Sequence, residues 1–193
     1  MEEFKIWFLI GYEHIVNKEA LDHILFVLAL STIYDLRMLK KLILLITAFT
    51  IGHSLTLILS TLEVITYNQK IIEFAIPLTI AFTCVANINK RHSFSTSKVL
   101  NRNYWLALVF GLIHGLGFSN YLKALLGDGS ILIQLFSFNV GLEVGQIVII
   151  GVFVFFSHWI SGLIFRNKSD WVMFVSSVIL GISLLLMYNA KFW

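Results

Sequence analysis

Long apolar runs alternate with short charged breaks along this chain. A membrane-crossing helix takes ~20 apolar residues. Runs of that order lie at roughly 20–36, 40–62, 71–89, 104–126, 131–157 and 171–190. Residues 4–12 (FKIWFLIGY) are also apolar but too short to span. They predict a short interfacial or partly inserted helix, with a seventh crossing as the alternative. The expected fold is therefore all-α: a polytopic membrane helix bundle of about six transmembrane helices, forming one integral-membrane domain over residues 1–193. Composition agrees. Only 13% of residues are charged and 58% are hydrophobic, against about 25% charged in a soluble domain.

Charge orients the bundle. Arg37, Lys40 and Lys41 follow the first run, Lys90, Arg91, Lys98 and Arg102 the third, and Arg166 and Lys168 the fifth. These alternate breaks hold nine of the fourteen basic residues. The positive-inside bias makes that side cytoplasmic and leaves both termini outside. Glu2, Glu3, Glu13, Glu19, Asp22, Glu63, Glu73 and Asp128 then fall on the outer side, where negative charge concentrates cations. The pI near 9.0 thus reflects topology and not a nucleic-acid surface. Cys84 is the one cysteine, so no internal disulfide or cysteine metal motif is expected. Met1-Glu2-Glu3 is acidic where a secretory signal is basic, so no cleavable signal is expected.

Four polar blocks interrupt the apolar pattern: Glu13-His14 with Asp22-His23, then His53, His114 and Glu143. An ionisable group costs ~2.5–3.5 kcal/mol at the bilayer centre on insertion scales, so it should face protein, water or an ion. Depth brings the blocks between the outer surface and the midplane. His23 lies just inside the outer surface. His53 lies ~13 Å and His114 ~18 Å below the outer ends of their helices, at 1.5 Å per residue. Glu143 falls at similar depth, whereas His92 and His158 map to the inner surface. Asn139, Glu143 and Gln146 share one helical stripe, as do Thr50, His53 and Thr56. Gly111 with Gly115, and Gly141 with Gly145, are small-xxx-small pairs that make the fourth and fifth runs expected neighbours. Gly52 offers a further close approach beside His53. Each feature has a simpler reading. A buried histidine can be a packing residue, Glu143 a protonated hydrogen-bonding group, and Asn139 and Gln146 interhelical partners. Those readings need several separate accounts, whereas one cation site needs one. Imidazole and carboxylate are ligands of divalent transition metals.

The blocks GYEHIVNKEALDHILFVLAL, FTIGHSLTL, FGLIHGLGFS and FNVGLEVGQ resemble the HupE/UreJ family of small membrane proteins, in the family's order, from residue 11 to residue 146. The stretch Lys18-Glu19-Ala20 lengthens the first block relative to many members. The resemblance implies a permease for Ni2+ or Co2+, with Zn2+ as a further candidate, in the cytoplasmic (inner) membrane of a bacterium. It implies metal positions at His14, Asp22, His23, His53, His114 and Glu143. Glu13, Asn139, Gln146, Ser54 and Ser119 stand beside them as supporting polar groups. His14, Asp22 and His23 would form the outer mouth, His53 and His114 the deeper site, and Glu143 would balance charge. No ATP-binding motif of the GxxxxGK[ST] kind is present. Two alternatives stay open: a zinc-dependent intramembrane hydrolase, and a metal-binding accessory protein that does not transport. The expected partners are the metal ion and the lipid bilayer. Oligomeric state is not legible in the sequence.

Overall fold

A computed structural model of the chain describes residues 1–17, 20–90, 97–126, 131–165 and 167–193. Lys18, Glu19, Arg91, His92, Asp128 and Arg166 lie outside the described residues, as do the side chains of Lys90, Lys98 and Arg102. The described residues form seven α-helices and no strand. They are α1 (Glu2–Val16), α2 (Leu21–Ser31), α3 (Leu39–Thr61), α4 (Gln69–Lys90), α5 (Ser97–Leu125), α6 (Ile131–Leu163) and α7 (Lys168–Asn189). Five of them, α3 to α7, are long and apolar enough to cross a membrane. They match the last five runs of the sequence to within a few residues at most ends. Leu132, Phe136, Trp105 and Leu163 are among the large apolar side chains left exposed, as expected where lipid replaces water.

The first run differs from expectation. Residues 20–36 give only an 11-residue helix, α2, ~16 Å long and half of a bilayer core. It stops where the Ser31 and Thr32 hydroxyls donate back to the Val27 and Leu28 carbonyls. Asp35 then caps a short 3-10 turn, Leu36–Met38. The N-terminal helix supplies the missing length. α1 runs along the first half of α6 in the same direction. The Gln134 amide donates to Glu3 at 3.0 Å, Gly141 abuts Phe8, and Gly145 abuts Ile15. α2 runs opposite to α5, with His23 beside His114 and Phe26 beside Phe110. α1 and α2 therefore follow one another end to end, and together they make one broken crossing. Both termini lie at the same end of the bundle, since Phe74 at the start of α4 meets Phe192 and Trp193. Arg37, Lys40, Lys41 and Lys168 lie at the other end, where Lys168 pairs with Asp35 at 3.4 Å.

Glycine sets the two closest pairings, but not with the expected partners. The fourth and fifth runs meet through side chains, Phe118 stacking on Phe138 at 5.1 Å, and not through their glycines. Gly111 and Gly115 of α5 lie against Phe49 and His53 of α3, and Gly52 of α3 lies against Leu108. Gly141 and Gly145 of α6 lie against α1. A Cβ at Gly111 would collide with the Phe49 carbonyl, and one at Gly141 with the Phe8 carbonyl. A glycine pair specifies a smooth face; what fills that face is settled by the rest of the bundle. Here α3 and α5 run parallel, which sets His53 and His114 side by side.

Candidate metal centre

Four helices each place one histidine in a single cluster. The ring centroids of His14 and His23 are 4.9 Å apart, those of His23 and His114 5.1 Å, and those of His23 and His53 5.9 Å. His23, at the start of α2, touches all three others. Local sequence explains its place: it follows the chain break directly, so its ring projects into the gap between α1 and the α3–α5 pair. His53 and His114 are fully buried and His23 is 4% exposed. His14 is half-buried, its ring tilted by 41° against Phe118 at 3.8 Å between centroids.

Hydrogen bonding sets two of the rings. His23 Nδ1 lies 3.0 Å from Asp22 Oδ1. With that proton given to the carboxylate, Nε2 keeps its lone pair and has no partner. The Thr79 hydroxyl donates to the Ile76 carbonyl at 2.7 Å. It therefore accepts from His114 Nε2 at 3.2 Å, which leaves the Nδ1 lone pair of His114 bare. His14 Nε2 and both nitrogens of His53 are also buried without a hydrogen bond among the described residues. Each such group costs about 1–3 kcal/mol unless something satisfies it.

Ligand atoms of His14, His23 and His53 lie within 4.8 Å of one another, as do those of Asp22, His23 and His114. Three nitrogens ~2.1 Å from one ion are ~3.4–3.6 Å apart, so closing either group on a cation takes shifts of up to about 1 Å. His23 belongs to both. A cavity of about 770 Å³ reaches His14, Asp22, His23 and His114, and Glu13, Glu73 and Asn189 lie at its rim.

The other expected site residues stand apart. Glu143 is half-buried on α6, where it accepts from Thr47 of α3 at 2.6 Å. Gln146 accepts from Thr50 at 3.0 Å. Thr47 precedes His53 by six residues, so this pair lies ~9 Å nearer the basic end. Asn139 donates to its own helix, at the Leu135 carbonyl. Ser54 donates to the Thr50 carbonyl, and Ser119 bonds Tyr67 and the Leu116 carbonyl. Glu13 is exposed at the cavity rim, and His158 is exposed on α6, away from the cluster. Sequence reading missed Thr79, which orients His114. Its signal was present: Thr79, Thr83 and Asn87 form a polar stripe at four-residue spacing on an apolar helix.

A family model described as HupE / UreJ protein matches residues 1–192. No curated protein and no solved structure matches. With the family's model covering the chain from end to end, and four histidines of its polar blocks gathered in one cluster of a helical bundle, the chain belongs to the HupE/UreJ family.

Proposed function

We propose that the protein is a permease that takes up a divalent transition-metal cation, Ni2+ or Co2+, as its substrate. The observation that carries this reading is the cluster of four histidines, each with a ring nitrogen buried without a partner among the described residues, next to an open cavity that reaches three of them. One nitrogen of each ring is a ligand for a cation; the other nitrogen of neutral His53 carries its proton. Neutral imidazole favours Ni2+ and Co2+ over Mg2+, and the family is associated with nickel and cobalt uptake. The end bearing the termini is assigned to the outside and the end with Arg37, Lys40, Lys41 and Lys168 to the cytoplasm of a bacterial inner membrane. Glu13 and Glu73 at the rim then draw cations toward the mouth. The membrane potential supplies ~2.3 kcal/mol per charge per 100 mV, acting on two charges per ion.

The test is uptake into proteoliposomes under an inside-negative potential, with Ni2+, Co2+ and Zn2+ compared. Saturable entry of Ni2+ or Co2+, lost in His53→Ala and His114→Ala, is the expected result. Tight binding with no entry of any of the three metals would leave an accessory metal-binding role instead. One observation favours a second reading, an intramembrane zinc hydrolase: the cavity is within the size range of small-molecule sites. That reading requires Zn2+ to activate water beside the cavity, and ester or amide cleavage by the Zn2+-loaded protein would establish it.

A further inference from the structure

Beneath the histidines the bundle is closed by aromatic rings. Three of the four histidines carry a phenylalanine one helical turn nearer the basic end: His23 with Phe26 on α2, His53 with Phe49 on α3, and His114 with Phe110 on α5. α2 runs toward that end, so Phe26 follows its histidine. α3 and α5 run the other way, so Phe49 and Phe110 precede theirs. The three rings meet. Phe26 is 4.8 Å from Phe49 and 5.9 Å from Phe110, centroid to centroid. They also touch the layer above, with Phe26 and Phe49 at 5.0 and 5.2 Å from His114. Phe26 is 0% and Phe49 1% exposed. A phenylalanine layer thus lies directly under the histidine layer.

Polar surface resumes below it. A second cavity of about 30 Å³ is lined by Phe110 on one side and by Thr83, Asn87 and Asn103 on others. That is room for about one water molecule. Asn87 donates to the Ala29 carbonyl of α2 at 2.8 Å. Thr83 and Asn87 continue the stripe that starts at Thr79, the partner of His114. A plain apolar core has no need of buried amides and hydroxyls there, because each must be satisfied. Glu143 and Gln146 line neither cavity.

We propose that Phe26, Phe49 and Phe110 form the inner seal of the ion path, and that the ion leaves along the Thr79–Thr83–Asn87 stripe between α2, α4 and α5. The inference rests on the transport reading above and adds the route and the closure to it. A hydrophobic constriction one turn thick blocks a hydrated cation until it wets. The seal therefore has to part for each ion.

The experiment uses Thr83→Cys in a Cys84→Ala background, in vesicles with the termini outward. Ag+ is added outside, and thiols left unreacted are counted after denaturation. With the seal intact, the cysteine should react at least tenfold more slowly than in the same protein carrying Phe26→Ala. Ni2+ binding on the same samples reports that the histidine site is folded. Equal rates with Ni2+ binding retained would overturn the seal, as would a cysteine that is already fast with all three rings in place. Where Phe26→Ala does not fold, Phe26→Leu carries the test, with a smaller increase expected and an unchanged rate again overturning it. Labelling needs no metal movement. A protein that binds Ni2+ but carries none would sink the transport reading in the uptake assay, separately from the seal.

Discussion

Two polar layers in this bundle look alike in sequence and differ in structure. The histidine layer draws one side chain from each of four helices and leaves five ring nitrogens unpartnered. The α6 layer pairs off locally: Glu143 takes the Thr47 hydroxyl, and Gln146 takes the Thr50 hydroxyl. A satisfied polar pair in a membrane is an interhelical fastener, worth about 0.6–2 kcal/mol. An unsatisfied cluster is a cost the fold bears for a ligand. Partner count, more than residue type, separates the two.

The sharpest break is at His23, which belongs to both ligand groupings. His23→Ala should lower Ni2+ affinity by on the order of a hundredfold or more, read by equilibrium dialysis, since it opens both groups together. Loss of one imidazole from a three-ligand group costs several kcal/mol of coordination, and ~1.4 kcal/mol is a tenfold change. If His23→Ala binds as the wild type does, the histidine layer is a packing layer and the contrast with α6 disappears.

The next effect tests what holds the layer together. Gly111→Val would push a side chain into the Phe49 carbonyl and part α3 from α5. Overpacking of this kind costs about 1–3 kcal/mol, and here it also separates His53 from His114. A Cβ at Gly151 would meet nothing within 4 Å, so Gly151→Val is the control and should leave thermal stability nearly unchanged. Equal loss of stability in both variants would refute the close α3–α5 approach.

How far the sequence could be read follows from the same geometry. Runs of apolar residues fix where α3 to α7 begin and end, because bilayer thickness demands that length. Helical rise fixes depth, which is why His23, His53, His114 and Glu143 could be put in the outer half of the membrane from sequence; the outer mouth expected at His14, Asp22 and His23 is instead one cluster with His53 and His114. Azimuth between helices is not encoded locally. The stripe of Asn139, Glu143 and Gln146 was legible as a face, but its neighbour could not be named, and it turned out to meet Thr47 and Thr50 and not the imidazoles. Gly111 and Gly141 were legible as close-approach points with the wrong partners assigned. The broken crossing was missed because residues 20–36 read as a span of their own, whereas α2 is only 11 residues long and only its end-to-end placement with α1 makes a span.

A smaller effect concerns protons. Asp22 holds His23 Nδ1 at 3.0 Å, and loss of such a partner typically costs about 10–100-fold in metal affinity. Asp22→Asn should fall in that range while leaving the fold intact. A cation competes with protons for the imidazole lone pairs, so binding weakens once acid protonates the rings. The wild type titrated with Ni2+ at falling pH should show that sign. Affinity that rises in acid would mean that imidazole is not the ligand.

The smallest expected change in binding is the one that decides between the layers. Glu143→Gln keeps the size of the side chain and an oxygen for Thr47 to donate to, but removes the charge. If Glu143 only fastens α6 to α3, Ni2+ affinity should change by less than about threefold, because the carboxylate is outside both ligand groupings. The hydrogen bond from Thr47 becomes a neutral one, roughly half as strong as a charge-assisted one, so a modest loss of stability should appear in a thermal melt. A carboxylate that binds the ion would behave differently: Glu143→Gln would weaken Ni2+ binding by tenfold or more and leave the melt of the metal-free protein almost unmoved. Thr47→Val separates the cases further. It removes the donor without touching the charge, so it should reproduce the stability loss of Glu143→Gln if the pair is a fastener. It should leave both binding and stability nearly as in the wild type if Glu143 turns inward to the ion.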